Sequence, residues 1–263
     1  NTFRDDQDYE ADMFVNNHEA KEIMDDNTLL VVVDTNKPSI TQCEDLLYMA
    51  KMIVVLDHHR QGSDTIRNSV LSYIEPYASS ASEMVAEILQ YFTEGIRIRN
   101  VEADSIYAGI MIDTDNFMQK TGVRTFEAAA FLRRCGADVT RVRKLFREDM
   151  NDYKARGETI RNAELFRGQF AISECPSDYV DSPTVVGAQA ANELLNIVGV
   201  KASFVLTEYK GVIYISARAI DEVNVQIIME RMGGGGHLNM AGCQLETVDL
   251  EGARRLLKAT LTE

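Results

Sequence analysis

Two short apolar runs that each stop at an aspartate constrain the fold of this chain more than any other feature. Leu29–Val33 is a β-branched run that ends at Asp34, and Met52–Leu56 has the same design and ends at Asp57. The stretch from Thr41 to Lys51 between them has a helical pattern. Continuous apolar strands joined by a helix predict a parallel sheet that is buried on both faces. Both aspartates then lie at the carboxyl edge of the sheet, where open α/β sheets place their sites.

The remaining chain alternates helical and strand-like patterns, which change in character near Gly168. Before this point, helices are predicted over residues 80–92, 101–113, 125–134 and 139–161. After it, strands are predicted over 170–172, 202–208, 212–217 and 243–245, and helices over 183–197, 223–232 and 250–260. At roughly 150 residues per domain, the length predicts two domains. The fold class is therefore α/β, with a parallel-sheet domain at 1–150, a connector helix at 151–166 and a smaller mixed α/β domain at 167–263.

The charge balance argues against a long nucleic-acid partner. The chain has 27 basic and 41 acidic residues, for a formal net charge of −14. Proteins that follow a long duplex usually present a basic face to its phosphates. A small phosphate ester held by metal ions remains compatible, because the cations supply positive charge locally.

Cysteine usage and hydropathy favour a cytoplasmic location. The four cysteines are far apart and form no CxxC pair, so we expect reduced thiols rather than disulfides or a zinc ribbon. No apolar run approaches the roughly 18 residues of a membrane span, and no signal peptide is visible. The chain opens at Asn1 without a methionine, so we expect a longer parent protein with any membrane anchor upstream.

The tripeptide Asp57-His58-His59 is the strongest local sign of chemistry. Carboxylate and imidazole groups at the mouth of a buried strand are costly unless they are paired or bound to a metal. Together they suit manganese, iron or zinc. Asp34 ends the preceding strand, and Asp113 ends another apolar stretch. A turn or helix cap would explain each aspartate alone, but their convergence at one sheet edge indicates a metal site.

Four consecutive glycines precede His237 and form the second candidate site. Glycines leave backbone N–H groups free to point at an anion, and no Cβ blocks a close approach. A flexible linker is the alternative, although the run is short and flanked by apolar-periodic residues. We therefore favour a phosphate or nucleotide cradle at residues 233–237.

Several stretches, taken in order along the chain, resemble the DHH phosphoesterase superfamily with its DHH-associated C-terminal domain. Within that superfamily the resemblance is nearest to membrane-anchored cyclic di-AMP phosphodiesterases. Order and spacing over most of the chain make it more specific than any one motif. The resembling stretches are Val31–Pro38, Val54–Arg60, Glu75–Ser80, Ala108–Thr114, Ser216–Arg218, Asn224–Gln226 and Gly233–His237.

The resemblance implies roles for individual residues of the first domain. Asp34 resembles a carboxylate that bridges two Mn²⁺ ions in the intact enzyme, His58 a ligand of one ion and Asp113 a ligand of the other. Asp57 would orient an imidazole and His59 would face the substrate phosphate, which makes these two the catalytic pair.

For the second domain, the resemblance implies substrate binding across a cleft between the domains. The product is expected to be a linear dinucleotide, with His59 or His237 protonating the leaving oxygen. The implied substrate-binding residues are Arg218, Asn224, Gly234, Gly235, Gly236 and His237.

One family segment has no match in this sequence. The family pattern begins with His-x-x-x-Asp-x-Asp, which supplies further metal ligands, whereas His18 is followed by Glu22 and Met24 at the two aspartate positions. We therefore expect an N-terminally truncated chain with an incomplete metal site, weak metal binding and doubtful activity of its own. Its exposed sheet edge would favour a homodimer.

Two other functions remain open at this point. One is a different reaction of the same superfamily, on short oligoribonucleotides or on 3′-phosphoadenosine phosphate. The other is a nucleotide-binding module without catalysis, which the missing ligand segment favours.

Overall fold

The computed structural model describes residues 13–92, 95–220 and 222–262. The chain divides into two compact units, Asn1–Arg147 and Glu148–Glu263. Each unit has its own sheet and its own hydrophobic core. No helix in the described part is both long and apolar enough to cross a membrane.

The sheet of the first unit is parallel, as predicted from its apolar runs, but the predicted burial on both faces is wrong for its first strand, where Leu29, Val31 and Val33 are exposed. Its strands are Leu29–Val33 (β1), Met52–Asp57 (β2) and Leu71–Ile74 (β3), in the order β1-β2-β3. The parallel register aligns Val33 with Leu56, so both strands end at the same edge. Strand β3 is a short segment that the sequence analysis did not predict.

In the part of this unit that the structure describes, five helices accompany the sheet besides α2 (Asp45–Met49), and three of them correspond to helices predicted above. The predicted helix at 41–51 is wrong in extent, because Pro38–Ile40 forms a separate 3₁₀ turn and α2 is confined to five residues. Side chains such as Ile110, Leu132 and Val142 form the core between the longer helices. The five other helices of this unit are α1 (Asn17–Ile23), α3 (Ala81–Phe92), α4 (Asn100–Asp113), α5 (Val123–Arg134) and α6 (Val139–Leu145).

The predicted long helix over residues 139–161 is wrong. Helix α6 ends at Leu145, and α7 (Met150–Arg161) begins anew because the Asp149 side chain accepts a hydrogen bond from the Asn151 backbone at 2.7 Å. A side-chain cap of this kind marks a helix start. Helix α7 packs within the second unit, and residues 164–166, predicted as connector helix, form a strand.

The second unit is a six-stranded mixed sheet with helices on its faces. Helices α9 and α10 cover one face, where Phe204 and Ile215 are buried. Helix α8 covers β5 and β6 on the other face, where Val205 is buried. In sheet order the strands are β4 (Glu164–Phe166), β5 (Phe170–Cys175), β6 (Ala202–Tyr209), β7 (Val212–Ala219), β9 (Met240–Leu245) and β8 (Gly235–His237), and the helices besides α7 are α8 (Pro183–Leu194), α9 (Val225–Arg231) and α10 (Leu250–Thr260).

Candidate metal centre and substrate-binding residues

Asp34 stands directly after β1 in a backbone conformation that few side chains adopt. Its φ is 66°, in the left-handed region. Aspartate and asparagine tolerate this region better than most residues, at a cost of about 1 kcal/mol. The Asp34 amide donates to the Leu56 carbonyl at 3.0 Å, which extends the pairing with β2 by one residue. The side chain is 60% exposed and available to a ligand.

His58 lies between two carboxylates. Its Nε2 atom is 3.4 Å from Asp34 Oδ1 and 3.7 Å from Asp113 Oδ2. The His58 side chain is only 10% exposed, so its position is fixed by its surroundings. The structure therefore brings together the three residues predicted as metal ligands, from the ends of β1, β2 and α4.

The electrostatics of this cluster favour a bound cation. Burial raises the pKa of the Asp113 carboxyl above its ordinary value; nearby His58 opposes this shift and the charge of Asp34 adds to it. Within the described residues, neither carboxylate forms an ion pair with lysine or arginine. A cation among these groups would favour their ionised forms.

The donor set fits a divalent ion. Two carboxylate oxygens and an imidazole nitrogen suit manganese, iron or zinc, and ligands about 2.0–2.2 Å from one ion stand about 3 Å from one another. The ligand atoms of Asp34, His58 and His59 also lie within 4.8 Å of one another. His59 is thus near enough to be a ligand, whereas the family resemblance gives it a substrate role.

Asp57 and His59 form a second pair beside this cluster. Asp57 is fully buried, and its Oδ1 is 2.7 Å from His59 Nδ1 and 3.2 Å from the His59 backbone nitrogen. A carboxylate at this position favours the tautomer with a proton on Nδ1. Since the His59 side chain is 58% exposed, its Nε2 can serve a ligand.

A cavity of about 290 Å³ opens beside the two candidate metal carboxylates. Asp34 and Asp113 line it together with apolar side chains such as Val33, Val85 and Ile112. This volume is near the small end of ligand pockets. The centre therefore has space next to it that the described side chains do not fill.

In the second unit, no carboxylate of the described residues compensates the charge of Arg218. It is partly buried on β7, its Nη1 donates to the Ala217 carbonyl at 2.9 Å, and its Nε has no hydrogen-bond partner. Burial lowers the pKa of the Arg218 guanidinium, and no carboxylate in the described part offsets this. A cation withdrawn from water without a counter-charge is costly unless a ligand completes it, which fits the predicted role in binding an anion.

Part of the glycine run forms a strand at the edge of the sheet. Gly235–His237 forms β8, the edge strand of the sheet, so one side of its backbone is unpaired. Gly233, with φ of 85°, and Gly234 end α9 by donating to Glu230 and Met229, which is a Schellman motif. His237 is exposed, so packing does not fix the position of its imidazole.

The fold already uses the side chain of Asn224, the remaining candidate substrate-binding residue. The Asn224 side chain accepts a hydrogen bond from the Ile227 backbone and caps α9, so its oxygen already serves the helix. In the first unit, Tyr107 is buried in the core, whereas Tyr77 is 94% exposed.

Sequence reasoning missed Asn36, which the structure places against Asp57 and His59. It is 2% exposed, and its Nδ2 donates to Asp57 Oδ2 at 2.6 Å. A hydrogen bond between residues so far apart in sequence leaves no local pattern. A polar residue two positions after a strand-ending aspartate was the available signal.

Comparison with known protein families identifies two domains in the chain. Residues 5–110 match the DHH family, N-terminal domain, and residues 169–263 match the DHHA1 domain. The chain therefore belongs to the DHH family and carries both domains, which confirms the resemblance.

A curated relative is the cyclic-di-AMP phosphodiesterase GdpP of Bacillus subtilis. It is 43% identical over 254 residues, which cover 95% of this chain and 38% of that protein. The chain thus spans little more than a third of that relative's length.

Two solved structures support the fold. An exopolyphosphatase-related protein from Bacteroides fragilis aligns with a TM-score of 0.76 at 22% identity, over 89% of this chain and 73% of that one. RecJ from Thermus thermophilus, in complex with Mn²⁺, aligns with a TM-score of 0.51 at 13% identity, over 95% of this chain and 47% of that one. Both likenesses confirm the α/β fold class.

Proposed function

We propose that this chain is the catalytic part of a Mn²⁺-dependent phosphodiesterase that hydrolyses cyclic di-AMP to the linear dinucleotide. The observation that carries the proposal is the meeting of Asp34, His58 and Asp113 around one imidazole nitrogen, in a DHH-family chain similar to GdpP. The free cysteines of the described residues fit a cytoplasmic location.

The candidate site residues of the first unit have separate roles in this reaction. Asp34, His58 and Asp113 hold the metal. Divalent ions bound there supply Lewis-acid activation of the phosphodiester and of the attacking water. His59 presents Nε2 to the substrate, since Nδ1 is engaged by Asp57. Nε2 must itself carry a proton to act as the acid, so it is the imidazolium form of His59, paired with Asp57, that would pass this proton to the leaving ribose oxygen and return to the Nδ1–H form.

The second unit contributes charge and backbone donors for the substrate. Arg218 supplies a guanidinium that has no carboxylate partner among the residues the structure describes, which suits a phosphodiester. The free edge of β8 supplies N–H groups that no side chain obstructs at Gly235. A dinucleotide is favoured over long nucleic acid because the net charge is −14.

Incubation of the full-length protein with cyclic di-AMP tests the proposed reaction. With Mn²⁺ present, we expect the linear dinucleotide by chromatography, and with a chelator we expect none. Faster cleavage of short linear RNA or of 3′-phosphoadenosine phosphate would assign the protein to another branch of the superfamily. If the protein binds cyclic di-AMP but hydrolyses none of it with any divalent ion, it is a nucleotide-binding module without catalysis.

Arg218→Met is expected to weaken substrate binding without weakening the fold. Methionine keeps much of the side-chain volume and removes the uncompensated guanidinium, so the melting temperature should stay the same or rise. The KM for cyclic di-AMP should rise about tenfold, the effect of losing one charge-assisted hydrogen bond of about 1.4 kcal/mol. Steady-state kinetics and thermal unfolding measure the two quantities.

Arg254→Met is the matched control for that variant. Arg254 Nε lies 3.8 Å from Glu164 and 3.6 Å from Glu174 in the same unit, so its charge is compensated within the fold. Its replacement should lower the melting temperature and leave KM unchanged. Equal effects of both variants on KM would remove Arg218 from the substrate site.

A further inference from the structure

Among the described residues, the buried carboxylate of Asp57 has three hydrogen-bond donors, which come from two residues. His59 supplies its ring Nδ1 at 2.7 Å and its backbone nitrogen at 3.2 Å, both to Oδ1. Asn36 Nδ2 donates to Oδ2 at 2.6 Å. No lysine or arginine in the described ranges pairs with Asp57. The orientation of this fully buried group therefore depends on Asn36 and His59.

The orientation of the Asn36 amide follows from its surroundings. An amide turned by 180° would place its oxygen against Asp57 Oδ2, and two acceptors 2.6 Å apart would repel each other. In the observed orientation, Nδ2 also lies 3.4 Å from the His59 carbonyl, and Oδ1 is buried without a hydrogen-bond partner. The fold leaves this acceptor unsatisfied while the donor is engaged, which indicates that the donor is the functional end.

We propose that Asn36 is a positioning residue for the reaction. Its amide holds the Asp57 carboxylate so that His59 keeps a proton on Nδ1 and presents Nε2 to the substrate. Asn36 touches neither substrate nor reacting atoms on this proposal, and it acts through Asp57 alone. The kinetic part of the proposal rests on the phosphodiesterase function, whereas the tautomer of His59 does not.

Asn36→Leu removes the donor at nearly constant volume and is the test variant. In the metal-free wild-type protein, ¹H–¹⁵N correlation spectra of the histidine rings should show His59 protonated at Nδ1, with His59→Ala identifying the resonance. In Asn36→Leu, His59 should shift toward the Nε2–H tautomer. An unchanged His59 tautomer would overturn the proposal, and this readout needs neither metal nor activity.

The kinetic consequence separates positioning from general damage. We expect Asn36→Leu to lower kcat for cyclic di-AMP by about 10- to 100-fold, as for other groups that orient a functional imidazole, with little change in KM. Mn²⁺ affinity should be preserved because Asp34, His58 and Asp113 remain. In a His59→Ala background, Asn36→Leu should have no further effect on kcat; an equal further loss would mean that it does not act through His59.

Asn68→Leu is the matched control, and it keeps the two proposals distinguishable. Asn68 Nδ2 donates to the Leu47 carbonyl at 2.9 Å in the same unit, and this hydrogen bond involves no candidate site residue. It should leave both kcat and the His59 spectrum unchanged. If the wild-type protein hydrolyses no cyclic di-AMP, the phosphodiesterase function fails, while the tautomer measurement still decides the role of Asn36.

Discussion

Asp34→Asn should lower the Mn²⁺-dependent hydrolysis of cyclic di-AMP by about 10³-fold or more while the protein stays folded. The loss follows because metal Lewis-acid catalysis contributes several kcal/mol, and each 1.36 kcal/mol is about a factor of ten in rate. Asparagine tolerates the left-handed backbone that Asp34 adopts at φ 66°, so this substitution removes the charge without adding backbone strain. Asp34→Ala would remove the charge and strain the backbone at once, so the two effects could not be separated.

Mn²⁺ binding provides a second measurement of the same variant. A ligand that binds the folded state raises the melting temperature with its concentration. We expect Mn²⁺ to raise the melting temperature of the wild-type protein, and this response to be lost or strongly weakened in Asp34→Asn. Without metal, the variant should melt at the wild-type temperature or above, because it relieves the repulsion between Asp34 and Asp113.

Asp115→Asn controls for the substitution itself. Asp115 also adopts a left-handed conformation, with φ of 47°, two residues after Asp113, and no metal role is predicted for it. Its replacement should change neither the rate nor the response to Mn²⁺. Near-normal Mn²⁺-dependent activity of Asp34→Asn would contradict the assigned metal centre, whatever the substrate.

The parallel sheet and the edge that carries the candidate site were predictable because the strands read as unbroken apolar runs, whereas the predicted burial of both faces fails at Leu29, Val31 and Val33. Leu29–Val33 and Met52–Leu56 ended where the strands end, with Asp57 added to the second. The same register carries Asp34 and His58 to one edge. That geometry follows from strand direction alone, so the sequence sufficed for it.

Other features depend on local capping or on partners distant in sequence. The helix break before Met150 results from the Asp149 cap, a single side chain inside a stretch rich in charged residues. The role of Asn36 depends on Asp57, and periodicity gives no information on that pair. The role of each glycine in residues 233–236 depends on the backbone that faces it across the sheet. Four identical residues in the sequence give no information on these differences.

Gly234→Ala and Gly235→Ala should have opposite consequences, although the residues are neighbours. A Cβ at Gly234 would lie 2.1 Å from the Gly242 carbonyl oxygen and 2.6 Å from Cys243 Cα. These are backbone atoms of the paired strand, so relief requires β8 and β9 to separate. We expect Gly234→Ala to lower the free energy of unfolding by about 3 kcal/mol, as for severe overpacking, measured by denaturant unfolding.

At Gly235 a Cβ would meet nothing within 4 Å, so the fold itself accepts alanine. Alanine also restricts the unfolded chain, and the free energy of unfolding should stay the same or rise by up to about 1 kcal/mol. A substrate phosphate or base that approaches the β8 backbone would meet the added methyl group. We therefore expect the KM for cyclic di-AMP to rise about tenfold, the effect of about 1.4 kcal/mol of lost binding.

Gly211→Ala separates a general effect of alanine from an effect at the substrate edge. Gly211 lies in the β6–β7 turn with φ of 77°, so alanine there strains the backbone and lowers stability. It should leave KM unchanged because the turn carries no predicted substrate contact. If Gly235→Ala also left KM unchanged, the glycine run would be explained by the C-cap of α9 and by close strand packing, and substrate recognition would belong to other residues of the second unit.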